Sequence, residues 1–100
     1  MEKYKVIFSP EVIDRLFDVI KYLKTTWSDT VADDFSNTFF EKVQELKANP
    51  KTGRIAERNN EVRSIPITKH NRLYYHIKDE FIKLDSLLDT RQSPAKNKFE

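Results

Sequence analysis

The chain reads as an α+β protein: one strand, a two-helix hairpin, then three strands in an antiparallel meander. Three observations predict this. Short apolar-alternating runs open the chain and fill its second half, whereas two apolar stripes at spacings of three and four occupy the stretch between. The helix-start pair Ser9-Pro10 and the helix-stop pair Asn49-Pro50 bracket those stripes.

Tyr4, Val6 and Phe8 alternate with Lys3, Lys5, Ile7 and Ser9, the period of a strand with one clearly apolar face. Ser9 then offers a hydroxyl to an orphan backbone N–H, Pro10 suits the first helical position, and Glu11 suits the helix macrodipole. Ile13, Leu16, Phe17, Ile20, Leu23 and Trp27 form the apolar stripe expected to face the core from the first helix, with Asp14, Arg15, Asp18 and Lys21 off it. Trp27-Ser28-Asp29 marks a break and a new cap. Ala32, Phe35, Phe39, Val43 and Leu46 make the second stripe, which ends at Asn49-Pro50. So short a connection predicts an αα-hairpin.

Residues 51–60 are basic and polar and read as a connection, with Gly53, the single glycine, expected where a turn needs positive φ. Three β-rich runs follow, Val62 to Thr68, Arg72 to Lys78 and Phe81 to Leu88, separated by Lys69-His70-Asn71 and Asp79-Glu80. Strands joined so closely pair antiparallel. The expected architecture is a four-stranded, largely antiparallel sheet carrying both helices on one face, because that face is the large apolar surface left to bury their stripes. Residues 1–100 suffice for one domain, and the polar tail, residues 92–100 with Pro94, is expected to be ordered only in part.

A charged fraction of 34% beside 12% aromatics belongs to a folded chain rather than a disordered one. Without cysteine there is no disulfide or thiolate metal site, and no apolar run approaches the roughly 18 residues that span a bilayer. A cytoplasmic protein without a membrane segment is expected. The net charge of +2 is a weak sign of nucleic-acid binding, but its distribution is uneven. Asp14, Asp18, Asp29, Asp33 and Asp34 lie in the first half, and Arg54, Arg58, Arg63, Lys69, Arg72 and Arg91 in the second. Acidic polar faces on both helices argue against a DNA-reading helix, which needs basic and amide residues. His70 and His76 lack a carboxylate cluster at ligand spacing, so neither metal nor cofactor is implied.

The segment Arg72-Leu73-Tyr74-Tyr75-His76-Ile77, then Asp79-Glu80 and Phe81 to Leu88, ends in Asp89-Thr90-Arg91-Gln92-Ser93-Pro94. With Tyr4 to Pro10, Asn49-Pro50, Gly53 and Val62-Arg63, it resembles, across nearly the whole chain, a RelE/ParE superfamily toxin of bacterial type II toxin-antitoxin modules. The resemblance implies a protein that stops growth and is neutralised by a cognate antitoxin, with operator DNA contacted only through that antitoxin. It leaves two mechanisms. RelE-like toxins cleave mRNA on the ribosome; ParE-like toxins bind DNA gyrase and poison it.

Metal-free RNA cleavage needs a base, an acid and cations close together. The resemblance places Arg63, Arg72 and Arg91 at basic positions, and guanidinium forks suit phosphate oxygens if all three converge on one face. For Arg63 and Arg72, ordinary cross-strand pairing accounts for a sheet arginine equally well. The proton-transferring residues are deficient: Ile65 stands where such nucleases carry a lysine, and Asn97, Lys98 and Phe99 where they carry a tyrosine. Glu57 and His76 matter only if the chain is a nuclease, and His76 reads first as a half-buried strand residue. A poison needs a surface and no acid–base pair, so the gyrase-binding mechanism is preferred and mRNA cleavage is the alternative.

For the antitoxin, the resemblance implies a segment docked on the helical hairpin and the sheet edge. Among the helix aromatics, Phe17 and Phe39 are expected in the core. Trp27, Phe40 and Tyr22 are the candidate contacts, because adjacent Phe39 and Phe40 point about 100° apart and cannot share one narrow stripe.

Overall fold

Ser9 does what its position predicts: its Oγ accepts the N–H of Val12 at 3.1 Å and opens a helix with Pro10 in the first turn. In the computed structural model, which describes residues 4–92 and 97–100, strand β1 (Lys5–Phe8) precedes this helix, α1 (Pro10–Thr26). Lys3, Ser93 and Pro94 of the sequence reading lie outside the described residues. Helix α2 (Asp29–Ala48) is capped by Ser28, whose Oγ accepts the Val31 N–H at 3.1 Å, and it stops at Asn49 before a 3₁₀ turn, Pro50–Thr52. Then come β2 (Arg54–Ile55), β3 (Val62–Thr68), β4 (Asn71–Lys78) and β5 (Phe81–Asp89).

The sheet order is β1-β5-β4-β3-β2, with β1 parallel to β5 and every other pair antiparallel. The expected four strands are joined by a fifth, β2, inside the segment read as a connection. Two residues are too few to show a period, and β2 exists because Arg54 and Ile55 register against Ser64 and Arg63. Gly53 corrects another expectation: its φ is −70°, so its need for glycine does not come from a left-handed turn.

The main core lies between the helices and one sheet face, where Val12, Leu16, Phe35, Phe39, Val43 and Leu46 meet Ile65, Leu73, Tyr75, Ile82 and Leu84. Fully burying such a side chain stabilises by roughly 1.5–3 kcal/mol, so this layer holds the domain together. The phase of α1 differs from the predicted stripe. Val12 and Leu16 are buried, with Val19, Ile20 and Leu23 packed against the core, whereas Phe17 is 66% exposed and Ile13 and Trp27 are also exposed. The apolar residues of this helix spread over a broad arc rather than one narrow stripe, so periodicity alone cannot choose which part faces inward.

Side chains alternate across a strand, so Tyr74, between buried Leu73 and Tyr75, lies on the opposite, open face. There a smaller cluster forms from Ala56, Val62, Tyr74 and Phe99, with Leu88 packed against it. Opposite the β4 pair Tyr74-Tyr75, β5 carries one extra residue: Tyr74 registers with Ser86 and Tyr75 with Leu84. This bulge leaves Asp85 free to turn toward His76. No helix among the described residues is long and apolar enough to cross a membrane.

Candidate functional site

Arg72, Tyr74 and His76 project from β4 on the open face by strand alternation. Arg72 Nε donates to Ser64 Oγ at 2.7 Å, which fixes the guanidinium over β3. Burial lowers its pKa and the neighbouring charge of Arg54 adds to the effect. His76 Nδ1 lies 2.7 Å from Asp85 Oδ2, so the bulge carboxylate orients the imidazole ring. The Tyr74 hydroxyl accepts from Asn97 Nδ2 at 3.1 Å, and its ring stacks on Phe99 at a centroid distance of 4.7 Å. Glu57 is exposed just beyond β2, and its N–H donates to Glu100 Oε1 at 3.4 Å.

Arg63 is elsewhere. It registers with core residue Tyr75 and therefore shares the helix-side face, where Nη1 donates to the carbonyls of Lys51 at 3.1 Å and Gly53 at 2.9 Å. It ties the helix-to-sheet connection to β3. Arg91 is exposed at the end of β5 and makes a fork to Asp89, Nε to Oδ1 at 3.0 Å and Nη2 to Oδ2 at 2.7 Å. These bonds hold the Asp89 carboxyl at about 2 and push the Arg91 pKa up. Arg63, Arg72 and Arg91 thus do not converge, contrary to the expectation of one basic face. Alternation separates the first two, and the third stands past the last strand.

Arg91 instead borders a groove of about 830 Å³ between the helical hairpin and the β3–β4 turn. Tyr22, Leu23, Trp27, Val31 and Phe35 supply its apolar lining, while Arg15, Asp18, His70 and Asp89 also border it. Tyr22 is 57% exposed and Trp27 is 69% exposed, an unusual outlay of large aromatic surface to water for so small a protein. Phe40 is also exposed but lies outside the lining of this groove; its ring meets Phe39 edge-on at 5.2 Å and Phe8 at 6.4 Å. The three candidate contacts are therefore one pair and one separate residue. Sequence reasoning did not name Asp85, and it gave Asp89, Asn97 and Phe99 no part in these contacts. Only Phe99, an aromatic in a polar tail, carried a visible signal.

Residues 6–94 match the family model described as the ParE toxin of the type II toxin-antitoxin system parDE. The chain belongs to the ParE toxin family. Its fold is that of several solved structures. A chain of the chromosomal ParDE system from P. aeruginosa superposes with a TM-score of 0.75 at 15% identity, over 89% of this chain and 98% of that one. A YoeB/ParE toxin from Agrobacterium tumefaciens gives 0.61 at 12% identity, over 85% and 97%. A chain of the heterotetrameric YoeB-YefM toxin-antitoxin complex from Staphylococcus aureus gives 0.56 at 20% identity, over 89% and 98%. Comparison with proteins of curated function returned no match. The toxin thus shares its architecture with ParE and YoeB proteins at identities too low to carry side-chain roles across.

Proposed function

We propose that the toxin arrests growth by binding and poisoning DNA gyrase, without a reaction of its own, and that an antitoxin silences it by filling the groove around Trp27 and Tyr22. The observation that carries the first half is the dispersal of the arginines. RNA cleavage without a metal needs cations gathered around a base and an acid. Here Arg63 holds a loop, Arg72 is bonded to Ser64 and Arg91 to Asp89. A poison needs a shaped surface, and the apolar groove bordered by Arg91 is compatible with one. The antitoxin half is supported by the exposed aromatic pair and by the relative that is itself a toxin-antitoxin complex.

One observation favours the second reading, a ribosome-dependent mRNA endoribonuclease: His76 and Asp85 form an oriented imidazole–carboxylate pair on the open face. Induction in bacteria without antitoxin, with DNA, RNA and protein synthesis pulse-labelled separately, tests the choice. Gyrase poisoning predicts an early fall in DNA synthesis with double-strand breaks, and a His76→Ala variant that stays toxic. An early fall in translation with cleaved mRNA, abolished by His76→Ala, would sink the proposal.

A further inference from the structure

Residues 97–100 lie across the open face like a strap tied at both ends. Near the β5 side, Lys98 Nζ is 3.8 Å from Glu11 Oε1. In the middle, Asn97 donates to the Tyr74 hydroxyl and Phe99 stacks on the Tyr74 ring at an interplanar angle of 16°. On the β2 side, Arg58 N–H donates to the Phe99 carbonyl at 2.9 Å and Arg54 Nη2 reaches Glu100 Oε2 at 2.7 Å.

We propose that residues 97–100 are a displaceable cover, and that the surface beneath them docks a short segment of a partner protein in which an aromatic side chain is followed by a carboxylate. The strap shows what this surface recognises: a ring for Tyr74 and the Val62–Leu88 floor, a backbone carbonyl for Arg58, and an anion for Arg54. None of these contacts depends on the strap being covalently attached to the same chain. Only one strap side chain, Phe99, is buried as an anchor, while the Lys98–Glu11 pair is largely open to water, at 67% and 53% exposed, and the Arg54–Glu100 pair is open on its Arg54 side, at 59% against 21% for Glu100. The exposed Lys98–Glu11 pair is individually weak and exchanges readily. A tethered segment wins against a free one through its high local concentration, so the cover hides the surface until a tighter segment arrives. Arg54 and Arg58 border the strap on the β2 side and the Lys98-paired Glu11 on the other, an arrangement that suits a peptide with a single acidic group. The inference goes beyond the toxin's target and does not depend on whether that target is gyrase or mRNA.

The test uses the full chain carrying Phe99→Ala and Glu100→Ala, with the free tetrapeptide Asn-Lys-Phe-Glu as the probe, followed by NMR at the amides of Arg58 and Tyr74. The altered chain is expected to bind the peptide saturably and at least about tenfold more tightly than the unaltered chain, whose own strap competes. Adding Arg54→Ala should weaken binding by about tenfold, and replacing the peptide's Phe with Ser should abolish it. If the variant keeps amide protection in β4 and β5 yet fails to bind, the proposal is overturned. It is also overturned if a single-stranded oligonucleotide moves these signals and the peptide does not. Should the double variant not fold, the full chain with Glu100→Gln serves instead: a several-fold gain in peptide affinity supports the proposal and unchanged affinity overturns it.

Discussion

The ring of Tyr75 occupies the space where Gly53 would carry a side chain, and its hydroxyl accepts the Gly53 N–H at 2.9 Å while donating to the Pro50 carbonyl at 2.7 Å. One buried phenol thereby satisfies a donor and an acceptor in the turn that carries the chain from α2 to the sheet. Tyr75→Phe should cost about 1–3 kcal/mol in a urea titration, because both backbone groups lose their partner inside the protein. Burial also raises the Tyr75 pKa above its ordinary 10.0. The fold therefore favours the neutral phenol, whose contribution is fully present below pH 10 and falls as pH rises toward the raised folded value. The phenylalanine variant should lack this part of the alkaline loss of stability.

Gly53→Ala tests the same contact from the other side. A Cβ built there lies 2.9 Å from Tyr75 Cε1 and Cζ and closer still to the hydroxyl oxygen, so the ring or the turn must shift. With φ at −70° no backbone strain contributes, and the expected loss of about 1–3 kcal/mol is steric. Combined with Tyr75→Phe, which removes the closest atom, the two losses should sum to less than additive. Strict additivity would show that the contact is not the cause.

Much of this arrangement was legible because its signals are local. Ser9-Pro10, Ser28 and Asn49-Pro50 mark the helix ends where they occur, and β3 spans Val62–Thr68 as its alternation predicts. What was not legible depends on partners distant in sequence. The bulge that turns Asp85 to His76 is a mismatch between two strands and leaves no trace in either. Whether Phe17 or Val19 faces the core is set by where the sheet lies under α1. Gly53 was singled out correctly as a special position for a wrong reason, since the phenol that crowds it lies 22 residues further on.

Arg63 is expected to behave as a structural residue. Truncation to Ala removes donors from the Lys51 and Gly53 carbonyls and should cost about 1–2 kcal/mol. Toxicity, measured at equal folded concentration, should then be unchanged. A toxic defect without a stability defect would return Arg63 to the functional surface.

The Asp89–Arg91 fork predicts a feature of the acid limb. Asp89 is held at about 2 in the fold against 3.8 unfolded, so the folded carboxyl binds fewer protons than the unfolded one between these values. Its contribution is present above pH 4 and is lost as pH falls toward 2. Asp89→Asn should flatten that part of the stability–pH curve. The change should be small, because Arg91 is 64% exposed and water screens the pair.

Trp27 separates folding from recognition. It is the single tryptophan and is 69% exposed, so Trp27→Ala should leave unfolding stability within about 0.5 kcal/mol of the parent. If the antitoxin fills the groove, the same change removes a large aromatic anchor and should weaken the complex by at least about tenfold, with Tyr22→Ala a second loss on the same surface. Phe40→Ala should show the opposite balance, costing stability through its packing on Phe39 and Phe8 and affecting affinity less. Intrinsic fluorescence reads the docking directly: emission from Trp27 should move to shorter wavelength as antitoxin is added, because the indole leaves water for an apolar contact. Unshifted emission together with full affinity of the alanine variant would place the antitoxin on another surface.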